Sequence, residues 1–133
     1  MEDGGTLLIY FRIRKIFYII YKKYSNHPPP CSTLKNLRGF MREKKIEQKL
    51  VNEVKKYRGK CWKFVSPGTD GVPDRIVLLH GGKIAFVEVK APGEDLRPQQ
   101  IKRKRDLEKL GFKVYVLDNE DEIGGIIDEI HST

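Results

Sequence analysis

Residues 71–90, GVPDRIVLLHGGKIAFVEVK, constrain the fold of this chain more than any other part of it. Two apolar runs flank Gly81 and Gly82, and a glycine pair between such runs is typical of the tight turn of a β-hairpin. We therefore predict one strand over residues 74–80 and a second strand over residues 83–90.

Charged side chains mark one end of this hairpin. Side chains alternate between the two faces of a strand, so Phe86, Glu88 and Lys90 share a face. Pairing of the strands about the glycine turn brings Asp74, at the start of the first strand, beside Glu88. The sequence therefore predicts two carboxylates and an ammonium group at one end of a largely apolar sheet.

Regular helical and strand patterns occupy the rest of the chain after Met41. Helices are indicated by apolar residues three or four positions apart, or by a proline at the start and a glycine after the end. The predicted elements outside the hairpin are a helix over residues 43–57 with the stripe Ile46, Leu50, Val54 and Tyr57 and an end at Gly59, a strand over 61–65, a helix over 98–110 ended by Gly111, a strand over 112–117, and a helix marked by Ile123, Ile126, Ile127 and Ile130.

This order of elements predicts an α/β fold. The last two strands are joined through a helix, so we expect them to pair in parallel by a right-handed crossover, whereas the hairpin strands pair antiparallel. The prediction is a mixed four-stranded sheet flanked by helices, in the order αβββαβα. A chain of 133 residues is long enough to form one domain with a core.

The net charge of +8 is concentrated near the start of the chain. Residues 1–40 carry seven Lys and Arg against two Asp and Glu, whereas residues 41–133 carry 19 against 16. An argument for nucleic-acid binding from charge alone would therefore rest on the first 40 residues. Cys31 and Cys61 form neither a disulfide framework nor a metal-ligand pattern, so we expect a protein of the reducing cytosol.

Residues 1–40 differ in character from the rest. The segment 7–24, LLIYFRIRKIFYIIYKKY, is aromatic, β-branched and basic, and its charges argue against stable membrane insertion. The three prolines at 28–30 predict a linker. Two interpretations stay open: a basic amphipathic segment for a membrane surface or nucleic acid, and a poorly packed extension upstream of a natural start at Met41. We favour the second, and expect residues 41–133 to form the functional domain.

The acid pair and the lysine point to metal-assisted hydrolysis. The plain alternative is a cross-strand ion pair, since an acid two residues before a lysine is common at strand ends. Asp74 and Glu88, however, offer oxygen ligands of the kind that Mg²⁺ takes together with waters and a substrate phosphate. Lys90 could hold a water or a phosphate oxygen, and Glu47 of the first helix could add a carboxylate. This is equipment for phosphodiester hydrolysis, in which the ion makes a water more acidic.

At these residues the sequence resembles the PD-(D/E)XK nuclease superfamily, with its restriction-endonuclease-like core, and specifically the VRR-NUC branch of virus-type replication-repair nucleases. The resemblance runs from about Met41 to the C-terminus, and residues 1–40 lie outside it. The positions that carry it are the helix 43–57, Ser66-Pro67-Gly68, Gly71-Val72-Pro73-Asp74, Glu88-Val89-Lys90, Gln100 and Leu110-Gly111-Phe112.

The resemblance implies a role for each matching residue. Asp74 and Glu88 match the metal ligands, and the carbonyl of Val89 matches a backbone ligand. Lys90 matches the catalytic lysine, and Gln100 matches an active-site glutamine on the following helix.

The acid that the family places on the first helix has two candidates. Glu47 fits the Glu-x-x-Leu-Val pattern of related junction resolvases, and Glu43 fits a Glu-x-x-Ile pattern. We choose Glu47 and keep Glu43 as the alternative. Free-standing relatives resemble archaeal Holliday-junction resolvases, so the resemblance also implies a homodimer.

We therefore expect a Mg²⁺-dependent, structure-selective DNA endonuclease of phage type, with Mn²⁺ able to substitute, acting in the cytoplasm of a bacterial host. It would cut junctions, flaps or forks by in-line attack of a metal-bound water. The rivals are a non-catalytic DNA-binding module on a nuclease fold and a restriction-type endonuclease, although nothing in the chain resembles a sequence-reading domain. The expected contacts to the DNA backbone are Ser66, Gly68, Lys102, Arg103, Lys104 and Arg105.

Overall fold

The computed structural model describes residues 31–133, and their elements follow the predicted order. They are helix α1 (Cys31–Lys56), strands β1 (Lys60–Lys63), β2 (Arg75–Leu79) and β3 (Lys83–Val89), helix α2 (Pro98–Lys109), strand β4 (Lys113–Leu117), a short 3₁₀ helix (Glu120–Glu122) and helix α3 (Ile123–Ser132). The main difference lies in α1, which begins at Cys31 and so runs through the predicted boundary at residue 40.

The sheet has the predicted mixed topology. Its strand order is β1-β2-β3-β4, with antiparallel pairing except between β3 and β4, which are parallel. Leu79 pairs with Lys83, so the turn comprises His80, Gly81 and Gly82 rather than the glycine pair alone, and both glycines have left-handed φ angles, of 82° and 72°. The turn therefore sets the register of β2 against β3.

One face of the sheet packs against α1 and α3 to form the core. Ile46, Leu50 and Val54 of α1 lie at helical spacing and are buried, as predicted. Tyr57 lies beyond the last residue of α1 and is exposed, so it does not extend the stripe. The remaining core residues come from the sheet and from the last helix: Val77, Leu79, Ala85, Val87, Val89, Leu117, Ile123, Ile126, Ile127 and Ile130.

The opposite face of the sheet carries three phenylalanine rings and α2. The ring of Phe86 lies 5.5 Å from the ring of Phe64 and 5.7 Å from that of Phe112, measured between centroids. Glu88 is on this same face of β3, two residues beyond Phe86. The sequence pattern of alternation thus places the acid pair on the face away from α1.

The two predicted helix stops differ in outcome. Gly111 has a φ angle of 90°, and the amides of Gly111 and Phe112 bond back to the last turn of α2, as expected for a glycine cap. After α1, however, the left-handed residue is Arg58, with a φ angle of 57°. Gly59 is required for close packing instead, because a Cβ there would lie 2.7 Å from the carbonyl oxygen of Leu78.

Residues Arg42–Thr133 form one compact unit that contains the whole sheet. The predicted proline linker lies outside the described residues, and the assignment of residues 41–133 as an independent domain stays a prediction. No helix within residues 31–133 is both long enough and apolar enough to cross a membrane.

Candidate active site

The register of the hairpin brings the two predicted carboxylates together. Arg75 pairs with Val87, so the next pair outward is Asp74 with Glu88. The Asp74 carboxylate accepts a hydrogen bond of 2.9 Å from the backbone N–H of Val89. Burial, reinforced by the negative charge of Asp74, raises the pKa of Glu88 to about 7. The two acids therefore repel each other in the metal-free protein.

Lys90 and Gln100 both contact the Glu88 carboxylate. The Lys90 ammonium lies 3.1 Å from Glu88 Oε1, and the Gln100 side-chain amide donates a hydrogen bond to the same oxygen. Gln100 Oε1 accepts the backbone N–H of Arg97 at 2.9 Å, which leaves its amide nitrogen to face Glu88. Glu88, Lys90 and Gln100 are each less than one tenth exposed, so these polar groups satisfy one another inside the protein.

The donor set at this end of the sheet fits a hard divalent cation. It consists of the Asp74 and Glu88 carboxylates and the Val89 carbonyl. Mg²⁺ takes one or two carboxylates and fills its remaining coordination positions with water and phosphate oxygens. Within residues 31–133, no three His, Cys, Asp or Glu side chains are grouped to hold a metal. The site therefore offers two side-chain ligands rather than a closed protein cage.

Glu47 does not join this group. Its carboxylate accepts a hydrogen bond of 2.9 Å from Arg75 Nε and another of 3.1 Å from Lys44 Nζ. Arg75 shares its sheet face with Val87, which is the core face, whereas Glu88 lies on the other one. Burial favours a higher pKa for Glu47, but Lys44 and Arg75 outweigh burial and lower the pKa. The structure thus places the chosen helix acid in an ion pair away from the acid pair.

Glu43, the alternative helix acid, lies within electrostatic range of the site. Burial raises the pKa of its carboxyl, the negative charge of Asp74 raises it further, and the Lys90 ammonium acts in the opposite direction. Because these charges act on Glu43, its half-buried carboxylate belongs to the same neighbourhood as Asp74 and Lys90. One turn of α1 therefore separates Glu43, on which the charges of Asp74 and Lys90 act, from Glu47, which pairs with Arg75 and Lys44.

The basic run of α2 divides into two kinds of residue. Arg103 donates a hydrogen bond of 2.9 Å to the backbone carbonyl of Asp70 and one of 3.0 Å to the Asp106 carboxylate, and Lys104 pairs with Glu108. Lys102 and Arg105 are exposed and make no side-chain hydrogen bond or ion pair with the described part of the chain. Of the four predicted DNA contacts on this helix, only these two are unengaged.

The loop over residues 66–73 joins β1 to the acid pair. Gly68 has a φ angle of 80° and an open surrounding, since a Cβ there would meet no atom within 4 Å. Ser66 is half-buried, and its carbonyl accepts the Thr69 amide at 3.2 Å. Gly71 packs tightly instead, because a Cβ on it would lie 2.5 Å from the carbonyl oxygen of Gln99.

Sequence reasoning missed two residues that organise this region. Arg75 is the partner of Glu47, and its alternation with Val77 and Leu79 was the available signal that its side chain faces the core. Arg103 was assigned to DNA only because it stands in a basic run, and no sequence pattern indicated its bond to the loop.

Comparison with known proteins identifies the family. The family model of the VRR-NUC domain matches residues 19–120, which is most of the chain. The chain therefore belongs to the VRR-NUC family of nuclease domains. The match begins inside residues 1–40, so the resemblance extends further towards the N-terminus than the sequence motifs indicated.

Two similar proteins agree with this assignment. The phage protein named "Putative nuclease p44", from Acyrthosiphon pisum secondary endosymbiont phage 1, is 54% identical over 82 residues, which are 62% of this chain and 88% of that protein. A solved structure described as a VRR-NUC domain is 25% identical, with a TM-score of 0.62, and the match covers 65% of this chain and 95% of that chain. The expected α/β nuclease fold is confirmed.

Proposed function

We propose that this chain is a Mg²⁺-dependent endonuclease that hydrolyses phosphodiester bonds in branched or structured DNA, with Mn²⁺ able to replace Mg²⁺. The observation that carries the proposal is the group of Asp74, Glu88 and Lys90 at the end of the hairpin strands, in which Glu88 and Lys90 are buried and Asp74 is half-buried. Two neighbouring carboxylates that repel each other are stabilised by a divalent cation, and a substrate phosphate completes such a site.

Asp74, Glu88 and the Val89 carbonyl would hold the cation. We assign Glu43, rather than Glu47, as the acid that the first helix adds to the site. When bound, the cation neutralises charge that develops on the phosphate and makes a water more acidic. The reason for preferring Glu43 is that the charges of the site act on its carboxylate, whereas that of Glu47 is already neutralised by Arg75 and Lys44.

Lys90 and Gln100 would act on the substrate and on the ligands. The Lys90 ammonium is held at the site by Glu88, so it can turn to a phosphate oxygen when the carboxylate charge is otherwise neutralised. Gln100 fixes the orientation of the Glu88 carboxylate, and its own orientation is fixed by the backbone of Arg97. The site is therefore organised before substrate arrives, which lowers the cost of reaching the reactive geometry.

The proposed DNA contacts are those with free donors or open backbone. Lys102 and Arg105 present unengaged positive charges on α2, and Gly68 allows close approach of a sugar-phosphate backbone to its loop. Ser66 stays a proposed contact in the same loop. These groups recognise phosphates without reading bases, which suits selection of DNA by structure rather than by sequence.

We further propose that the protein acts as a homodimer on phage or host DNA in the bacterial cell. A four-way junction is resolved by two symmetric cuts, and a two-fold dimer supplies two sites in matching orientation. The similarity to a phage protein supports this setting. Light scattering at micromolar concentration tests the dimer: one chain has a mass of 15.5 kDa, and that value with and without junction DNA would refute it.

The rival function is DNA binding without cleavage. Asp74 lies opposite Glu88 in the strand register and Lys90 contacts Glu88, whereas a module that only binds DNA has no need of paired acids near a phosphate. The test is to incubate the full chain with four-way junction, flap, fork, linear duplex and single-stranded DNA in Mg²⁺, Mn²⁺ or EDTA. We expect cleavage of a branched substrate in either metal and none in EDTA.

The Glu88→Gln variant is the matched control for this experiment. Glutamine has the same size and keeps an oxygen that can accept the hydrogen bond from Gln100, but it lacks the charge that would bind the metal. Cleavage should therefore fall by on the order of 100-fold or more, while DNA binding persists. DNA binding without cleavage of any substrate by the wild-type protein would favour the rival function.

A further inference from the structure

The Arg103 guanidinium ties α2 to the loop that leads into the acid pair. Its Nε donates to the backbone carbonyl of Asp70 at 2.9 Å, and its Nη1 donates to Asp106 at 3.0 Å. We propose that Arg103 is a positioning residue that holds Asp74 opposite Glu88, and that it is not a DNA contact. This inference rests on the proposed function, because its consequence is measured as an altered affinity for Mg²⁺.

Helix α2 supports both carboxylates from one side. Gln100 in its first turn donates to Glu88, and the preceding Gln99 packs directly against Gly71, three residues before Asp74. Arg103 lies one turn further along the same side of the helix and bonds the residue next to Gly71. The helix therefore holds one carboxylate through a side chain and the other through the loop.

Besides the packing of Gly71 against Gln99 and the hydrogen bond from the Val89 amide to the Asp74 carboxylate, few described contacts fix the loop and its end. Its described backbone hydrogen bonds are the Thr69 amide to the Ser66 carbonyl and the Phe64 amide to the Asp74 carbonyl, one within the loop and one at its end. The Arg103 bond to Asp70 is thus the side-chain tie between the middle of the loop and α2. Loss of this tie should loosen Asp74, and groups that orient a metal ligand typically change metal affinity by about 10- to 100-fold.

The same contacts make Arg103 a poor phosphate binder. Two donor nitrogens of its guanidinium, Nε and Nη1, are used by Asp70 and Asp106, and the Asp106 carboxylate already compensates its charge. A phosphate contact needs a donor and an uncompensated charge. Lys102, the neighbouring residue, is exposed and unengaged, and so serves as the matched control.

The experiment uses full-length wild-type protein and the variants Arg103→Ala, Arg103→Lys, Asp106→Asn and Lys102→Ala. Mg²⁺ affinity is measured without DNA by the rise in melting temperature during a Mg²⁺ titration. DNA affinity is measured in EDTA at several salt concentrations, and cleavage is measured as a function of Mg²⁺. The Mg²⁺ titration separates a metal-positioning role from a contribution to fold stability alone, which would lower the melting temperature equally at all Mg²⁺ concentrations.

For Arg103→Ala we expect about a 10-fold increase in the Mg²⁺ concentration needed for half-saturation, with DNA affinity in EDTA and its salt dependence unchanged. Arg103→Lys should recover part of this loss, since one ammonium cannot satisfy both acceptors. Lys102→Ala should do the opposite: Mg²⁺ affinity stays constant, while DNA affinity falls and the salt slope decreases by about one.

Asp106→Asn distinguishes the two roles even if Arg103→Ala fails to fold. A carboxylate repels phosphate, so removal of its charge cannot weaken DNA binding through a lost contact, and a smaller increase in the Mg²⁺ requirement is expected. Reduced DNA affinity and a smaller salt slope for Arg103→Ala, with unchanged Mg²⁺ affinity, would overturn the proposal. A wild-type protein without any Mg²⁺ response would overturn the proposed function as well, whereas a normal wild-type response shared by Arg103→Ala and Asp106→Asn would overturn the positioning role alone.

Discussion

Replacement of Glu88 by glutamine should stabilise the metal-free protein, although it should abolish activity. The ordinary pKa of this carboxyl is 4.5, and the fold raises it to about 7, chiefly by burial and then by the charge of Asp74. Between these two pH values the folded protein keeps a proton that the unfolded chain releases. The contribution of Glu88 to the free energy of unfolding is therefore fully present below pH 4.5 and is lost as the pH rises through 7.

The size of the effect follows from the two pKa values. A carboxyl that must ionise in this site at pH 8 costs at most about 3 kcal/mol relative to the unfolded chain. The Glu88→Gln variant cannot ionise and avoids that cost. For a domain of this size the difference corresponds to on the order of 10 °C in melting temperature.

The measurement is thermal unfolding by far-UV circular dichroism in EDTA at pH 5 and pH 8. Glu94→Gln is the matched control, because Glu94 is exposed in the loop after β3 and its replacement should change stability by less than about 0.5 kcal/mol. We expect Glu88→Gln to exceed the wild type in stability at pH 8 and to approach it at pH 5. Equal stability at pH 8, or the same difference at both pH values, would refute the electrostatic reasoning.

Three further outcomes follow from the site. Lys90→Ala should lose most cleavage activity, while Mg²⁺ should still bind and raise the melting temperature. A loss of Mg²⁺ affinity, measured by calorimetry, would instead make Lys90 part of the metal site. Glu43→Gln should reduce cleavage with little change in stability. Glu47→Gln should destabilise the fold by about 2 kcal/mol or more, because it leaves the half-buried Arg75 charge without its partner. If cleavage and unfolding assays give the reverse pattern, Glu47 is the helix acid. Gly71→Ala should destabilise by more than about 1 kcal/mol, because its φ angle is 80° and a Cβ would meet the Gln99 backbone, and an unchanged melting temperature would contradict that packing.

Local sequence signals determined the hairpin and its chemistry. Gly81 and Gly82 indicate where the hairpin turns, and strand alternation places Phe86, Glu88 and Lys90 on one face. The register that puts Asp74 opposite Glu88 comes from a turn of three residues, since a two-residue turn at the glycines would put Asp74 opposite Val89. Each step depends on neighbouring residues and on a period of two, so none requires knowledge of distant contacts. The buried positions of α1 and α3 were predictable for the same reason, from a period of 3.6.

Local signals did not decide which residue after α1 takes the left-handed conformation. Gly59 was expected to end the helix, but Arg58 has the positive φ angle, and Gly59 is needed because the close approach of Leu78 leaves no room for a Cβ. The start of α1 at Cys31 was missed, because residues 31–40 were grouped with the basic segment and the three prolines that precede them.

The sequence by itself determined the class of this protein: a hairpin that carries two acids and a lysine, in a VRR-NUC nuclease chain. Only the tertiary structure showed which partners the surrounding charges have. Glu43 and Glu47 lie one turn apart on the same helix, but Glu47 pairs with Arg75, whereas the charges of Asp74 and Lys90 act on Glu43. Arg103 is one of four adjacent cations, and only the packing of α2 against the loop gives it the Asp70 carbonyl as an acceptor. A side chain's partner depends on the distance between elements remote in the chain, and that distance is set by packing rather than by local pattern.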